Sequence, residues 1–145
     1  LDSTVLVNVE RKKEDALNLA KNMIANDEEL LISSVTISEI LTGAYFRGEH
    51  KNLTDARMLF SQFTLVELGT KIADKIAQYS AILLRNGTPI DFKDVAIAAT
   101  FAVTKSDFLL TQNKKHFEII PELRQKVFTV SEFKAIYGQQ SKKQK

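Results

Sequence analysis

The chain has 145 residues, 44% apolar and 26% charged, with a net charge of +2 and no cysteine. That length holds one domain with a real core rather than two. Disulfides and thiolate zinc sites are excluded, an intracellular and cytoplasmic location is expected, and so small a charge does not by itself argue for nucleic acid.

No apolar run approaches the ~18 residues of a membrane span, and no secretory leader is visible. The sequence opens on Leu1 rather than Met, so a short upstream piece is expected. Leu1 reads as the end of a first strand, with a short helix from Ser3. Residues 14–25 carry Ala16, Leu17, Ala20 and Ile24 at helical spacing. The run LLIS (30–33) reads as a short buried strand. Thr36 then opens a helix through Tyr45, and a further helix spans about 53–63. TLVEL (64–68) is β-branched and alternating, hence a strand. A long helix follows over 70–85 and stops at Asn86-Gly87. After Pro89, FKDVAIAATFAV has Ala and Ile on all sides, as a helix buried on most faces would. FLLT (108–111) is the next strand, a short helix runs from Asn113 towards Ile119, and 127–130 is the last strand. Ser131 is expected to cap a final turn holding Phe133 and Ile136. Strands alternating with helices predict an α/β fold, a three-layer α/β/α sandwich around a mostly parallel sheet. Two consecutive helices between the second and third strands break the plain repeat. One domain is expected over 1–137, with a basic, disordered tail over 138–145.

Three acids, Asp2, Glu39 and Asp94, fall where strand-like or turn segments give way to helices. In an open α/β sheet such junctions gather on one edge. Carboxylates gathered there repel unless a cation neutralises them, and hard cations such as Mg²⁺ or Mn²⁺ take oxygen ligands. Each acid also has a plainer explanation. Asp2 could cap a helix, with Ser3 or Thr4 as orienting hydroxyls in the functional alternative. Thr36 and Glu39 have capping-box spacing. Asp91 could cap the helix that carries Asp94 at its third position, where the dipole welcomes an acid. The residues after Asp94 are nearly all apolar, however, so its carboxylate needs a partner. Asn113, after Thr111, could supply a fourth ligand or cap the next helix. Asp107 opens its strand, at the opposite sheet edge, and reads as structural. The separate explanations share no common cause; a single metal site does.

Other chemistries lack their residues. There is no GxSxG elbow, no phosphate-binding glycine loop, and only His50 and His116. Basic runs occur at Arg11-Lys12-Lys13, at Arg47 with His50 and Lys51, and at Lys114-Lys115-His116. The last follows Asn113 directly and would suit phosphate contacts beside an acidic centre.

At these residues the chain resembles the PIN domain family, most closely its VapC-type toxin branch. LDSTVLV resembles the opening motif, TISEILTGAY the second, and PIDFKDVAIAATFAV the third, whose Asp is Asp94 and not Asp91. LLTQNKKHFEIIPEL resembles the closing motif, Thr-x-Asp/Asn before a His-Phe pair. The resemblance implies a Mg²⁺- or Mn²⁺-dependent ribonuclease acting on single-stranded RNA, often a homodimer, with an antitoxin partner that occludes the acids. The catalytic set would be Asp2, Glu39, Asp94 and Asn113, the metal ligands Asp2, Glu39 and Asp94. Ser3 and Thr111 would support them, and Lys114 and Lys115 would bind substrate. Many relatives carry Asp where this chain has Asn113, which lowers the charge of the site and bears most on a second metal.

Two rival readings stand beside a nuclease, another enzyme and a non-enzyme that is either receiver-like or inert. A metal-dependent phosphatase of another α/β family would want a second Asp two positions after Asp2. A receiver-like signalling domain would want adjacent acids near the first strand. A catalytically weak or inert relative that only binds RNA or protein is consistent with Asn113.

Overall fold

The computed structural model describes residues 1–10, 13–48 and 50–140. Along the chain the elements are α1 (Ser3–Glu10), α2 (Glu14–Ala25), β1 (Leu31–Ser33), α3 (Ser34–Arg47), α4 (His50–Phe60) and β2 (Thr64–Val66). Then come α5 (Thr70–Arg85), α6 (Phe92–Thr104), β3 (Leu109–Leu110), α7 (Lys114–Glu118), β4 (Val127–Phe128) and α8 (Val130–Gln140). The residues at 141–145 of the expected tail, and Arg11 and Lys12 of the first basic run, lie outside the described residues, as does the side chain of His50.

Strand β1 pairs in parallel with β2, and β3 in parallel with β4. The first two residues join the pairs. The Leu1 backbone nitrogen donates to the Leu31 carbonyl at 2.6 Å, and the Asp2 N–H donates to the Leu110 carbonyl at 3.0 Å. Leu1 and Asp2 therefore lie between β1 and β3 as a strand end would.

The layers follow from alternation along the strands. Leu109 packs with Ile72, Phe101, Phe117 and Val127 under α5, α6 and α7. Its neighbour Leu110 packs with Val5, Leu19, Val130 and Phe133 under α1, α2 and α8. Ile32 faces a third cluster with Leu6, Ile40 and Ala56, and Leu1 touches both this cluster and the second. Helices thus cover both faces of a parallel core, a three-layer α/β/α sandwich.

Helix α5 buries Ile72, Ile76, Tyr79 and Leu83, one stripe of a helix whose other positions face water. It ends at Asn86, with Gly87 at φ 66°, a left-handed residue that glycine adopts without steric cost. Helix α6 buries every residue from Val95 to Phe101. The first turn of this enclosed helix carries Asp94.

Three helix starts differ from the sequence expectation. Helix α3 is capped by Ser33, not opened by Thr36: the Ser33 hydroxyl accepts from the Thr36 N–H at 3.0 Å. The chain enters α3 straight from β1, so the last strand residue is already extended and fits the cap conformation. Helix α8 is capped by Thr129 rather than Ser131. Thr129 and Glu132 form a reciprocal capping box, with Thr129 N–H to Glu132 at 2.8 Å and Glu132 N–H to the Thr129 hydroxyl at 3.3 Å. Its Thr-x-x-Glu spacing is met only from 129. Helix α4 also begins three residues before the expected start.

Candidate active site

Asp2 is the innermost acid, 2% exposed. Three hydroxyls donate to its carboxylate: Ser3 at 3.2 Å, Thr4 at 2.7 Å and Thr111 at 2.7 Å. Thr4 and Thr111 are themselves fixed from the other side. The Gln112 N–H donates to the Thr4 hydroxyl and the Asn113 N–H to the Thr111 hydroxyl, both at 2.9 Å. Each hydroxyl has one proton, so an accepted N–H leaves it free to point that proton at Asp2. The first turn of α1 and the end of β3 are locked together through one carboxylate. None of its donors is charged.

Asp94 sits at the third position of α6, behind the Asp91 cap, whose side chain accepts from the Lys93 N–H at 2.8 Å. The Asp94 carboxylate meets His116 Nδ1 at 2.7 Å. Its pKa is raised. Burial is the main cause, the hydrogen bond from His116 opposes it, and the negative charges of Asp2 and Asp91 push further up. Asp2 and Asp94 are thus close enough to feel each other's charge. His116 is placed by its neighbour Phe117, which is fully buried and pins the short α7 onto the core.

Glu39 lies in the second turn of α3, with the capping duty taken by Ser33. Its carboxylate pairs instead with Lys93 Nζ at 2.9 Å. Lys93 is held in its charged form by that hydrogen bond and charge, with Asp91 and Asp94 adding to it. Among the described residues, no three His, Cys, Asp or Glu groups stand close enough to hold one ion. The fold brings Asp2 and Asp94 into electrostatic contact and ties Glu39 to Lys93, one residue before Asp94.

Asn113 is exposed at the N-cap position of α7, and its side chain makes no capping bond. Lys114 and Lys115 divide. Lys114 Nζ is engaged with Glu132 at 3.0 Å and Glu118 at 3.5 Å, tying α7 to α8, whereas Lys115 is exposed. Asp107 is exposed before β3, at the far end of that strand from Thr111.

Sequence reasoning missed two partners, Lys93 for Glu39 and His116 for Asp94. The His-Phe pair at 116–117 carried a signal for the second, since a histidine beside a buried anchor on a short helix is held in place. Nothing in the sequence pointed to Lys93.

The donor set fits a hard cation at the Asp2–Asp94 pair. Both offer oxygens, and a buried carboxylate with only neutral donors beside a second acid gains from a positive charge. Glu39 meets the Lys93 ammonium through Oε1, so a cation drawn to it would compete with that positive charge.

The PIN domain family model matches residues 1–123. The chain is 28% identical over 123 residues to the tRNA(fMet)-specific endonuclease VapC of Salmonella typhimurium, covering 84% of this chain and 90% of that protein. It is 31% identical over 127 residues to a ribonuclease VapC of Rickettsia bellii, covering 85% and 90%. Among solved structures, its fold resembles a chain of VapBC2 from Rickettsia felis bound to a promoter DNA fragment. The TM-score there is 0.79 at 20% identity, covering 88% of this chain and 95% of that one. It also resembles a chain of the DNA-bound VapBC of Salmonella typhimurium, with a TM-score of 0.75 at 24% identity, covering 89% and 95%.

Proposed function

Because the chain belongs to the PIN domain family, we propose that it is an endoribonuclease, the toxin of a toxin–antitoxin pair. It hydrolyses phosphodiester bonds of single-stranded RNA in the cytoplasm, depends on Mg²⁺ or Mn²⁺, and works as a homodimer restrained by an antitoxin protein. The observation that carries this reading is Asp2: a buried carboxylate fixed by three neutral hydroxyls, beside an Asp94 whose pKa is raised.

Asp2 and Asp94 would hold the cation, joined by Glu39 once Lys93 releases it. The cation supplies positive charge to offset the charge that builds on the attacked phosphate. The remaining tasks fall to the chain. Ser3, Thr4 and Thr111 keep Asp2 in one orientation, so its oxygens need no reorganisation when substrate arrives. His116 holds Asp94 by one oxygen and leaves the other available. Asn113, exposed beside Thr111, takes the fourth corner, where an amide can orient a water or an RNA oxygen. Lys115 meets a flanking phosphate, and Lys114 does so only after leaving its carboxylates, which makes affinity salt-dependent. Hydrolysis transfers the water oxygen to phosphorus and breaks the P–O ester bond, with the proton going to the leaving oxygen. Target choice rests on loops that read exposed bases rather than on the acids.

A weakly active or inert RNA- or protein-binding module is the second reading. It draws on Asn113 in place of a carboxylate and on the closed Glu39–Lys93 pair. Cleavage of a labelled single-stranded RNA with Mg²⁺, Mn²⁺ or EDTA separates the two. The nuclease reading expects cleavage with metal and none with EDTA or in Asp94→Asn; cleavage that survives either change overturns the mechanism.

A further inference from the structure

Three acids surround Lys93. Its ammonium bonds Glu39 at 2.9 Å, its backbone N–H bonds the Asp91 side chain at 2.8 Å, and Asp94 follows it in the same helical turn. The ion pair joins α3 to α6, elements separated by 54 positions in sequence. It is half open to water, with 51% of the Lys93 side chain and 24% of the Glu39 side chain exposed. An ion pair this exposed is worth only ~0–1 kcal/mol, so it can open readily. Lysine is suited to such exchange, since its ammonium is a point charge on a flexible stem rather than a rigid fork.

We infer that Lys93 is a tethered counter-cation: its ammonium neutralises Glu39 in the free protein, a divalent cation displaces it, and the released ammonium binds a phosphate of the RNA. This rests on the cation-dependent reading above. The exchange keeps Glu39 facing a positive charge at each stage. Without metal the lysine offsets Glu39. With metal and RNA, the incoming cation serves the acids and the lysine serves the incoming phosphate. The same device sets an entry cost, because the cation must compete with a charge that is already present.

The test is calorimetric titration of Mn²⁺ alone into wild type, Lys93→Met, Lys93→Arg and Lys115→Met, at low salt and without RNA. Removing a competing ion pair of ~1 kcal/mol corresponds to about fivefold tighter binding in Lys93→Met. Lys93→Arg stays within about twofold of wild type, and the gain in Lys93→Met shrinks as KCl is raised. Lys115→Met removes the same charge without touching Glu39 and also stays within about twofold. Equal or weaker Mn²⁺ binding by Lys93→Met overturns the inference, as does an equal gain in Lys115→Met, which would reveal a general field effect. If wild type and every variant bind no Mn²⁺, the cation-dependent reading itself falls. Circular dichroism melts confirm that each variant is folded. The phosphate arm is read as KM: Lys93→Met raises KM for RNA several-fold with kcat changed less than about twofold, and an unchanged KM overturns that arm.

Discussion

Asp2 is held by means opposite to those that hold Glu39 and Asp94. Asp2 is buried and bound by hydroxyls, two of which are locked by the Gln112 and Asn113 backbone N–H groups, more than a hundred positions from Asp2. Glu39 and Asp94 are more open and each faces a basic side chain, Lys93 or His116. Neutral donors in a buried network give a fixed orientation, since breaking any one strands a polar group. Exposed charged partners are individually weak and exchangeable. One corner is therefore part of the fold, and the other is free to rearrange.

The largest expected effect tests the exchangeable corner. Asp94→Asn should lower RNA cleavage on the order of 100-fold or more in single-turnover assays, while the protein melts as a folded domain. Next, Mn²⁺ at a hundred times its Kd should stabilise the wild type by ~2.7 kcal/mol, reversed by EDTA, as read from thermal melting. No metal response would remove the reason for gathering these acids.

The fixed corner is probed by Thr111→Val. The change deletes a donor to Asp2 and leaves the Asn113 N–H without its acceptor, and should cost ~1–3 kcal/mol in chemical denaturation. By contrast Glu39→Gln, which removes only an exposed pair, should cost about 1 kcal/mol or less. Equal costs would erase the distinction between the two corners.

A smaller effect is expected in pH. The Asp94 pKa is raised in the folded state, so its contribution to stability is fully present below the unfolded value near 3.8 and is lost as pH rises through the folded value. At neutral pH its ionised form is a burden on the fold. Asp94→Asn should match or exceed the wild type in melting temperature at pH 7, and the difference should shrink towards pH 4. Glu122, whose pKa is lowered by the Tyr79 hydroxyl and Lys75, behaves oppositely. Glu122→Gln should be less stable than wild type at pH 7 and approach it as the pH falls below the ordinary carboxylate range.

Much of the fold is legible in the residues themselves. The stripe of Ile72, Ile76, Tyr79 and Leu83 marks α5, Asn86-Gly87 its end, and the uniformly apolar 95–101 a helix enclosed on all sides. The Asp91 cap and the place of Asp94 at the third helical position are also local, since both are set by where the helix starts. The cap of α3 is not, since Ser33 over Thr36 turned on β1 running straight into α3, whereas the α8 cap is legible in the Thr-x-x-Glu spacing met only from 129.

The sequence by itself determined the alternation of strands and helices and the enclosed helix, because these depend on periodicity and residue type within one segment. Only the tertiary structure decided what each acid touches. Thr111 reaches Asp2 across 109 positions, Lys93 reaches Glu39 across 54, and Lys114 turns to Glu118 and Glu132 rather than to open solvent. The physical reason is range. Propensity and patterning act over a few residues, whereas hydrogen bonds and charge pairs are fixed by distances that exist only once the layers have packed.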